Sequence, residues 1–312
     1  MVGLIMFPAM LAANYSKGYS GGVLLSSANL GNLIPPSVTF IVFGYLTQTS
    51  VGQLFMAGIM PGLMVAVLLS ITAMFIAKRK QFPLVPGVSW RERKKLFIKS
   101  IPGLIMPIII LGGIYGGIFT PTEAAAVACI YAFLISITVY RTLTWKDIWV
   151  SLTDTVRILG FMFAILAGIL VFGKAFMLVG IPRAVADWIL AVNLGSTGFL
   201  LMLAAGFVAL GFIMDAMPML IILPIVMPAA ITLGISPLQL GVIFVVAIEI
   251  GIMTPPAAQF LYITAGMFDI LIDELIRGVL PFIGAMLIAL VGVCFFPEIS
   301  TWLPSTMIAT AG

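Results

Sequence analysis

The sequence predicts an all-α, polytopic membrane protein. Three observations lead there: composition, the lengths of the apolar segments, and an internal repeat with broken helices. Hydrophobic residues fill 62% of the 312 positions and charged residues 8%, with a mean hydropathy of +1.25. A soluble domain is about half apolar and about a quarter charged, so these few charges cannot cover a water-facing surface. Several segments reach the roughly 20 apolar residues that a helix needs to cross a bilayer.

The elements follow in order. Residues 1–13 are apolar but too short to span, and Asn14-Tyr15-Ser16-Lys17-Gly18 reads as a polar turn. The block 20–48 is long enough to cross, yet it is interrupted by the stretch Ser26 to Ser37, which holds Pro35 and Pro36. Two consecutive prolines remove two backbone donors and clash with the preceding turn, so this block reads as two half-helices with an unwound centre. Residues 54–77 form an ordinary span ending at Lys78-Arg79-Lys80. Spans at 101–118 and 121–140 follow, then a basic connection marked by Arg141, Lys146 and Arg157, then a span at 157–179. The segment 182–194 carries Arg183, Asp187 and Trp188 and suits the interface, where Trp is enriched. Two apolar arms, 198–213 and 219–231, flank Met214-Asp215-Ala216-Met217-Pro218 and read as a re-entrant hairpin. The block 238–268 is broken again, at Gly251 to Pro256, and 275–296 is a last continuous span.

The two broken blocks belong to a repeat. At one constant offset of 220 residues, Gly31, Pro35, Pro36 and Phe40 match Gly251, Pro255, Pro256 and Phe260. The same offset relates Gly58 to Gly278, Pro61 to Pro281 and Pro8-Ala9 to Pro228-Ala229. Eight identities without a gap indicate a duplication.

Charge gives the orientation. Eight of the 15 Lys and Arg lie between Lys78 and Lys99, flanked by apolar spans, as the positive-inside rule places a cytoplasmic loop. The span after Pro61 therefore ends inside. Its counterpart after Pro281 ends in Phe295-Phe296-Pro297-Glu298, without a basic residue, and reads as ending outside. The copies are thus expected to be inverted. Inverted repeats with interrupted helices mark secondary transporters, and unwound backbone is tolerated at membrane depth only inside protein or beside a cavity.

Other function classes lose ground. There is no His, and the two cysteines, Cys129 and Cys294, are read as small buried side chains without metal spacing. An intramembrane enzyme would need a nucleophile–base pair or a metal cluster, and no such set is present. A passive channel is disfavoured because inverted broken helices suit alternating access. The N-terminal stretch lacks the basic region of a signal peptide.

Several polar residues stand out. Asp215 lies between two apolar arms, where a carboxylate costs about 2.5–3.5 kcal/mol on insertion scales. A cation nearby or a substrate cavity explains it, against the alternative of a solvated loop residue. Glu249 either bonds backbone donors freed by Pro255 and Pro256 or faces a ligand. Ser27, Asn29 and Thr254 carry oxygens suited to sodium or to a substrate carboxylate, although such groups also satisfy broken backbone. Gly31, Gly251 and the prolines are expected to act through exposed carbonyls and tight packing. Glu123, after Thr120-Pro121-Thr122, suits a helix cap. Lys174 and Arg183 either attract an anion from outside or snorkel at the interface.

Three stretches carry a resemblance: Leu30-Gly31-Asn32-Leu33-Ile34-Pro35-Pro36-Ser37, Gly117 to Ala126 with Thr120-Pro121-Thr122-Glu123, and Glu249-Ile250-Gly251-Ile252-Met253-Thr254-Pro255-Pro256. Their order and spacing resemble the large membrane subunit of tripartite ATP-independent periplasmic (TRAP) transporters, the DctM-like permeases, over nearly the whole chain. The resemblance implies an elevator-type transporter in a bacterial inner membrane, importing an organic acid such as a C4-dicarboxylate or sialic acid with sodium. It implies a small four-helix membrane subunit and a periplasmic substrate-binding protein as partners, and no cofactor beyond the sodium ion. Its sodium ligands would be Ser27, Asn29, Gly31, Pro35, Asp215, Gly251, Thr254 and Pro255, and its substrate contacts Asp215, Ser37 and Thr254. Members of the family are longer at the N-terminus, so the chain is expected to lack the first hairpin tip, whose repeat counterpart of Asp215 falls at position −5. The implied division is 1–50 and 198–270 for the transport domain, 51–197 for scaffold and arm helices, and 271–312 for the last span and C-terminus. An inverted-repeat sodium/anion transporter working without a binding protein is the alternative.

Overall fold

The structure, a computed structural model, describes residues 2–83, 87–192, 194–255 and 258–308. Its helices are α1 (Val2–Ala12), α2 (Lys17–Leu33), α3 (Val38–Thr47), α4 (Val51–Arg79), α5 (Trp90–Tyr115), α6 (Pro121–Ile135), α7 (Trp145–Val179) and α8 (Ile181–Val192). They continue with α9 (Gly195–Gly211), α10 (Ala216–Met219), α11 (Leu223–Thr232), α12 (Pro237–Gly251), α13 (Gln259–Phe268), α14 (Ile272–Phe295) and α15 (Glu298–Ile308). Among the described residues six helices, counting α2 and α3 as one, are long and apolar enough to cross a membrane. The all-α polytopic expectation holds.

The chain forms two compact units, Met1–Leu84 with Ile169–Gly312, and Val85–Gly168. Residues 51–84 and 169–197 thus fold with the repeats, not with 85–168. In the smaller unit α5 begins at Trp90, well inside the stretch read as a basic loop. The reason is local: the Ser89 hydroxyl accepts the Glu92 N–H at 3.3 Å, a cap that starts a run of good helix formers. α7 likewise starts at Trp145, so Lys146 and Arg157 are helical. The cap expected at Glu123 is present: its carboxylate accepts the Thr120 N–H at 2.8 Å and Thr120 Oγ1 accepts the Glu123 N–H at 3.3 Å. Cys129 is exposed, contrary to expectation, and Cys294 is buried.

In the larger unit α12 is apolar on all sides and every residue from Gln239 to Gly251 is buried, as a central helix must be. Phe244 on α12 packs at a tilt against Phe43 of α3 and edge-on against Phe207 of α9, with centroids 5.9 and 5.1 Å apart. α15, which hydropathy did not anticipate, packs on α4 and α12.

The repeat is visible in the backbone. Ser16 and Ser236, 220 residues apart, occupy the N-caps of α2 and α12. Asn14 and Gly234, at the same offset, are both left-handed with φ of 60° and 71°. Tyr19 donates its hydroxyl to the Ala73 carbonyl at 3.0 Å, and its counterpart Gln239 donates its amide to the Val293 carbonyl at 2.9 Å. Two different side chains thus make one equivalent tether.

The contacts also fix the relative direction of the copies. α2 meets α4 at Tyr19–Ala73 and at Leu33–Gly58, so these helices are antiparallel. α2 meets α14 at Gly18–Glu274 and Gly22–Gly278, so these are parallel. α4 and α14 therefore run oppositely. Gly21 faces Leu275 while its counterpart Gly241 faces Leu54, one residue from Leu275's counterpart Phe55, the near-reciprocal pattern of a pseudo-two-fold axis. This is the inversion that the charges predicted.

The α2–α14 crossing is closed by glycine. A Cβ on Gly278 would strike the Gly18 carbonyl oxygen, and one on Gly22 the Gly278 carbonyl. Backbone there cannot yield as a side chain does. Gly278→Ala should lower thermal stability in detergent by about 1–3 kcal/mol, the usual cost of overpacking. Gly284→Ala, where a Cβ meets nothing within 4 Å, serves as the control. Equal melting of the two variants would show the crossing to be tolerant.

Candidate functional site

The first break is shorter than the sequence suggested. The helix runs unbroken through Ser26 and Ser27 to Leu33 because both hydroxyls turn back on the helix, Ser26 to Gly22 O and Ser27 to Val23 O. It ends only where Pro35 and Pro36, joined by a cis peptide, supply no N–H. Pro35 also denies the Gly31 carbonyl its helical donor.

That continuity rearranges the site. Residues two apart on a helix face opposite ways, whereas residues three apart share a face. Asn29 and Asn32 therefore point together, and Ser27 does not join them. Ser27 is exposed and lines a cavity of about 490 Å³ with Gly3, Thr264 and Phe268. Gly31 is exposed.

Asn29 is buried, and its amide donates to the Glu249 backbone carbonyl at 3.0 Å and lies 2.7 Å from Met253 Sδ. Asn29 and Glu249 are repeat counterparts, so their contact lies on the pseudo-two-fold axis. Glu249 is 2% exposed. Its Oε1 accepts from Asn32 Nδ2 at 2.8 Å, while Oε2 has no partner among the described residues. Of the two alternatives for Glu249, bonds to backbone donors of the second break are absent among the described residues; the acid is held by a side chain of the other copy. Sequence reasoning left Glu249 out of the ligand set, although its 220-residue register with Asn29 was the available signal.

The hairpin α9–α11 delivers the second acid. A Cβ on Gly211 would lie 2.9 Å from Gly251 Cα, and one on Gly251 would lie 2.6 Å from Gly211 Cα. Only glycine at both positions lets α9 and α12 approach so closely. Asp215 follows Gly211 by one turn, at the tip that this approach brings to the end of α12. Asp215 caps α10 by accepting the Ala216 N–H on Oδ1 at 2.7 Å. Gly251 is thus a packing residue, and its carbonyl accepts the Thr254 N–H at 2.9 Å instead of standing free. Thr254 is half-buried and donates Oγ1 to the Ile250 carbonyl at 2.6 Å. Pro255 is half-buried, and Pro256 lies outside the described residues. Pro35 is buried, and Ser37 is 1% exposed with an Oγ that lacks a partner among the described residues.

The fold therefore unites Asn29, Asn32, Asp215, Glu249, Gly251 and Met253 where two antiparallel broken helices meet a hairpin tip. A profile of the family described as "Tripartite ATP-independent periplasmic transporter, DctM component" matches residues 1–299. The chain belongs to this family. It is similar to the C4-dicarboxylate TRAP transporter large permease protein DctM of Vibrio cholerae, with 35% identity over 98% of this chain and 72% of that protein. The sialic acid TRAP transporter large permease protein SiaM of Vibrio cholerae is 34% identical over 97% of this chain and 71% of that protein. The ectoine TRAP transporter large permease protein TeaC of Halomonas elongata is 34% identical, also over 97% and 71%. The chain is a TRAP large permease and a multi-pass bacterial inner-membrane protein.

Within this frame the cluster offers hard oxygen donors. The free Glu249 Oε2, the second oxygen of Asp215 and nearby carbonyls match what an alkali cation takes, as half-helix ends and unwound carbonyls do in inverted-repeat transporters. No described group of three or more His, Cys, Asp or Glu forms a transition-metal set.

Proposed function

We propose that this chain is the large permease subunit of a sodium-coupled TRAP transporter that imports an organic acid handed over by a periplasmic binding protein. A small four-helix membrane subunit completes the transporter, and no covalent chemistry takes place. The observation carrying the reading is the meeting of two inverted broken helices at Asn29 and Glu249, beside the Asp215 hairpin tip. The buried Glu249 and the half-buried Asp215 are like charges in an apolar surround, and a cation between them relieves their repulsion. Sodium binding relieves that repulsion and thereby favours the conformation that carries substrate across. The unpartnered Ser37 hydroxyl supplies a donor for a substrate carboxylate, and Thr254 across the pair of breaks joins it once its hydroxyl leaves the Ile250 carbonyl.

The moving part is an elevator domain built from both broken helices and the hairpin. Each net positive charge moved inward gains about 2.3 kcal/mol per 100 mV. Two sodium ions offset a dianionic substrate, and a third makes import electrogenic. The substrate is of the C4-dicarboxylate or sialic-acid kind, by likeness to relatives so named.

The test is reconstitution of the full-length permease with its small subunit in liposomes. Uptake of a labelled organic acid is expected only with both an inward sodium gradient and the binding protein. Uptake that proceeds without either one removes this reading.

A further inference from the structure

A second site lies far from the breaks, at the end of the larger unit where α4 finishes and α14 begins. A cavity of about 590 Å³ opens there, lined by Tyr19, Phe75, Arg79, Lys80, Arg277 and Pro281 among others. Its floor is apolar and its mouth carries three cations. Phe75 is 65% exposed, so the apolar floor is open to a visiting chain rather than closed by the protein.

Among the described residues the three cations have no ion-pair partner. The single ion pair among the described residues is Arg157–Asp154, in the other unit. Arg277 shares a neighbouring cavity with Asp273 and Glu274 but forms an ion pair with neither, and Glu274 accepts the Gly18 N–H at 2.9 Å.

Nor does the fold need these charges. The repeat tests this directly. The counterparts of Arg79 and Lys80 are Ile299 and Ser300, and the counterpart of Arg277 is Ala57. At the opposite membrane face these positions carry no cation, and Ile299 and Ser300 lie on α15, which packs on α4, rather than at the end of α14. The charges belong to this face alone, and by the positive-inside rule it is the cytoplasmic one.

We propose that this cavity is a binding site for an anionic phospholipid of the inner leaflet. The headgroup phosphate sits between Arg79, Lys80 and Arg277, and an acyl chain lies over Phe75 and Pro281. Basic pockets between transmembrane helices on the cytoplasmic side take such headgroups. The lipid bridges the end of α4 and the start of α14, the two continuous helices that flank the pseudo-two-fold axis. It thereby fastens one copy of the repeat to the other on the cytoplasmic side only.

The experiment is native mass spectrometry of the purified chain, released from micelles holding equal phosphatidylglycerol and phosphatidylcholine. Wild type is expected to retain phosphatidylglycerol preferentially. The double variant Arg79→Gln, Arg277→Gln should lose that preference by about 25-fold, from about fivefold per charge near the surface. A control pair in the exposed basic segment, Lys94→Gln with Lys95→Gln, should keep it. Equal retention of both lipids by wild type overturns the proposal, and that arm needs no variant to fold. An equal loss in the control pair also overturns it, because a diffuse basic surface then explains the binding. Displacement by millimolar glycerol phosphate as effective as that by intact lipid overturns it in favour of a free phosphate.

Discussion

Replacing Asp215 with alanine will abolish the sodium dependence of uptake and lower sodium affinity by about 100-fold or more. The magnitude follows from removing one partner of a charge interaction at a half-buried position, the low end of the about 3–5 kcal/mol for a buried one. Asp215 has two duties that must be separated. Its Oδ1 caps α10 through the Ala216 N–H, and its charge is the one proposed to hold the cation. Alanine loses both, including about 1 kcal/mol of capping. Asparagine keeps a capping oxygen and loses only the charge. Asp215→Asn is therefore expected to fold as wild type does and still show no sodium dependence in proteoliposomes carrying the small subunit and binding protein. An unaltered sodium requirement in that variant would exclude Asp215 from the coupling site.

The second large effect is expected at Glu249. One of its oxygens is held by Asn32 and the other faces no donor among the described residues. Glu249→Gln retains the size and an acceptor for Asn32 but removes the charge. The half-saturating sodium concentration should rise about tenfold, with thermal stability within about 1 kcal/mol of wild type, the scale of one net hydrogen bond. Glu249→Ala is different in kind. It leaves the Asn32 amide unpaired and opens a cavity beside Asn29, and it should melt about 2–4 kcal/mol less stable. If the glutamine variant shows unchanged sodium half-saturation, the carboxylate is a packing group and the cation is held by Asp215 and backbone alone.

These two acids show how far the sequence could be read. Asp215 was legible because a lone carboxylate between two apolar arms has few explanations in a membrane. Glu249 was equally visible but stayed ambiguous, since its partner Asn32 is 217 residues away and on the other copy. Ser27 was misplaced for a related reason. Polar residues before a Pro-Pro pair suggest an unwound chain, yet their hydroxyls bonded back to the helix and the ladder continued to Leu33. Helical continuity then put Ser27 and Asn29 on opposite faces. Cys129 was placed inside because apolar neighbours in sequence say nothing about which side of a helix meets lipid.

The sequence by itself determined the membrane class, the breaks at Pro35-Pro36 and after Gly251, the 220-residue duplication and its inversion. These rest on local rules: apolar length, missing proline donors, and the sign of charge at helix ends. Only the tertiary structure decided which residues of the two copies meet. The two-fold axis runs through the Asn29–Glu249 contact, and glycines at 211 and 251 let the hairpin bring Asp215 beside it. Such choices depend on close approach between backbones far apart in the chain. A missing Cβ permits that approach, but which glycine faces which is settled only by packing.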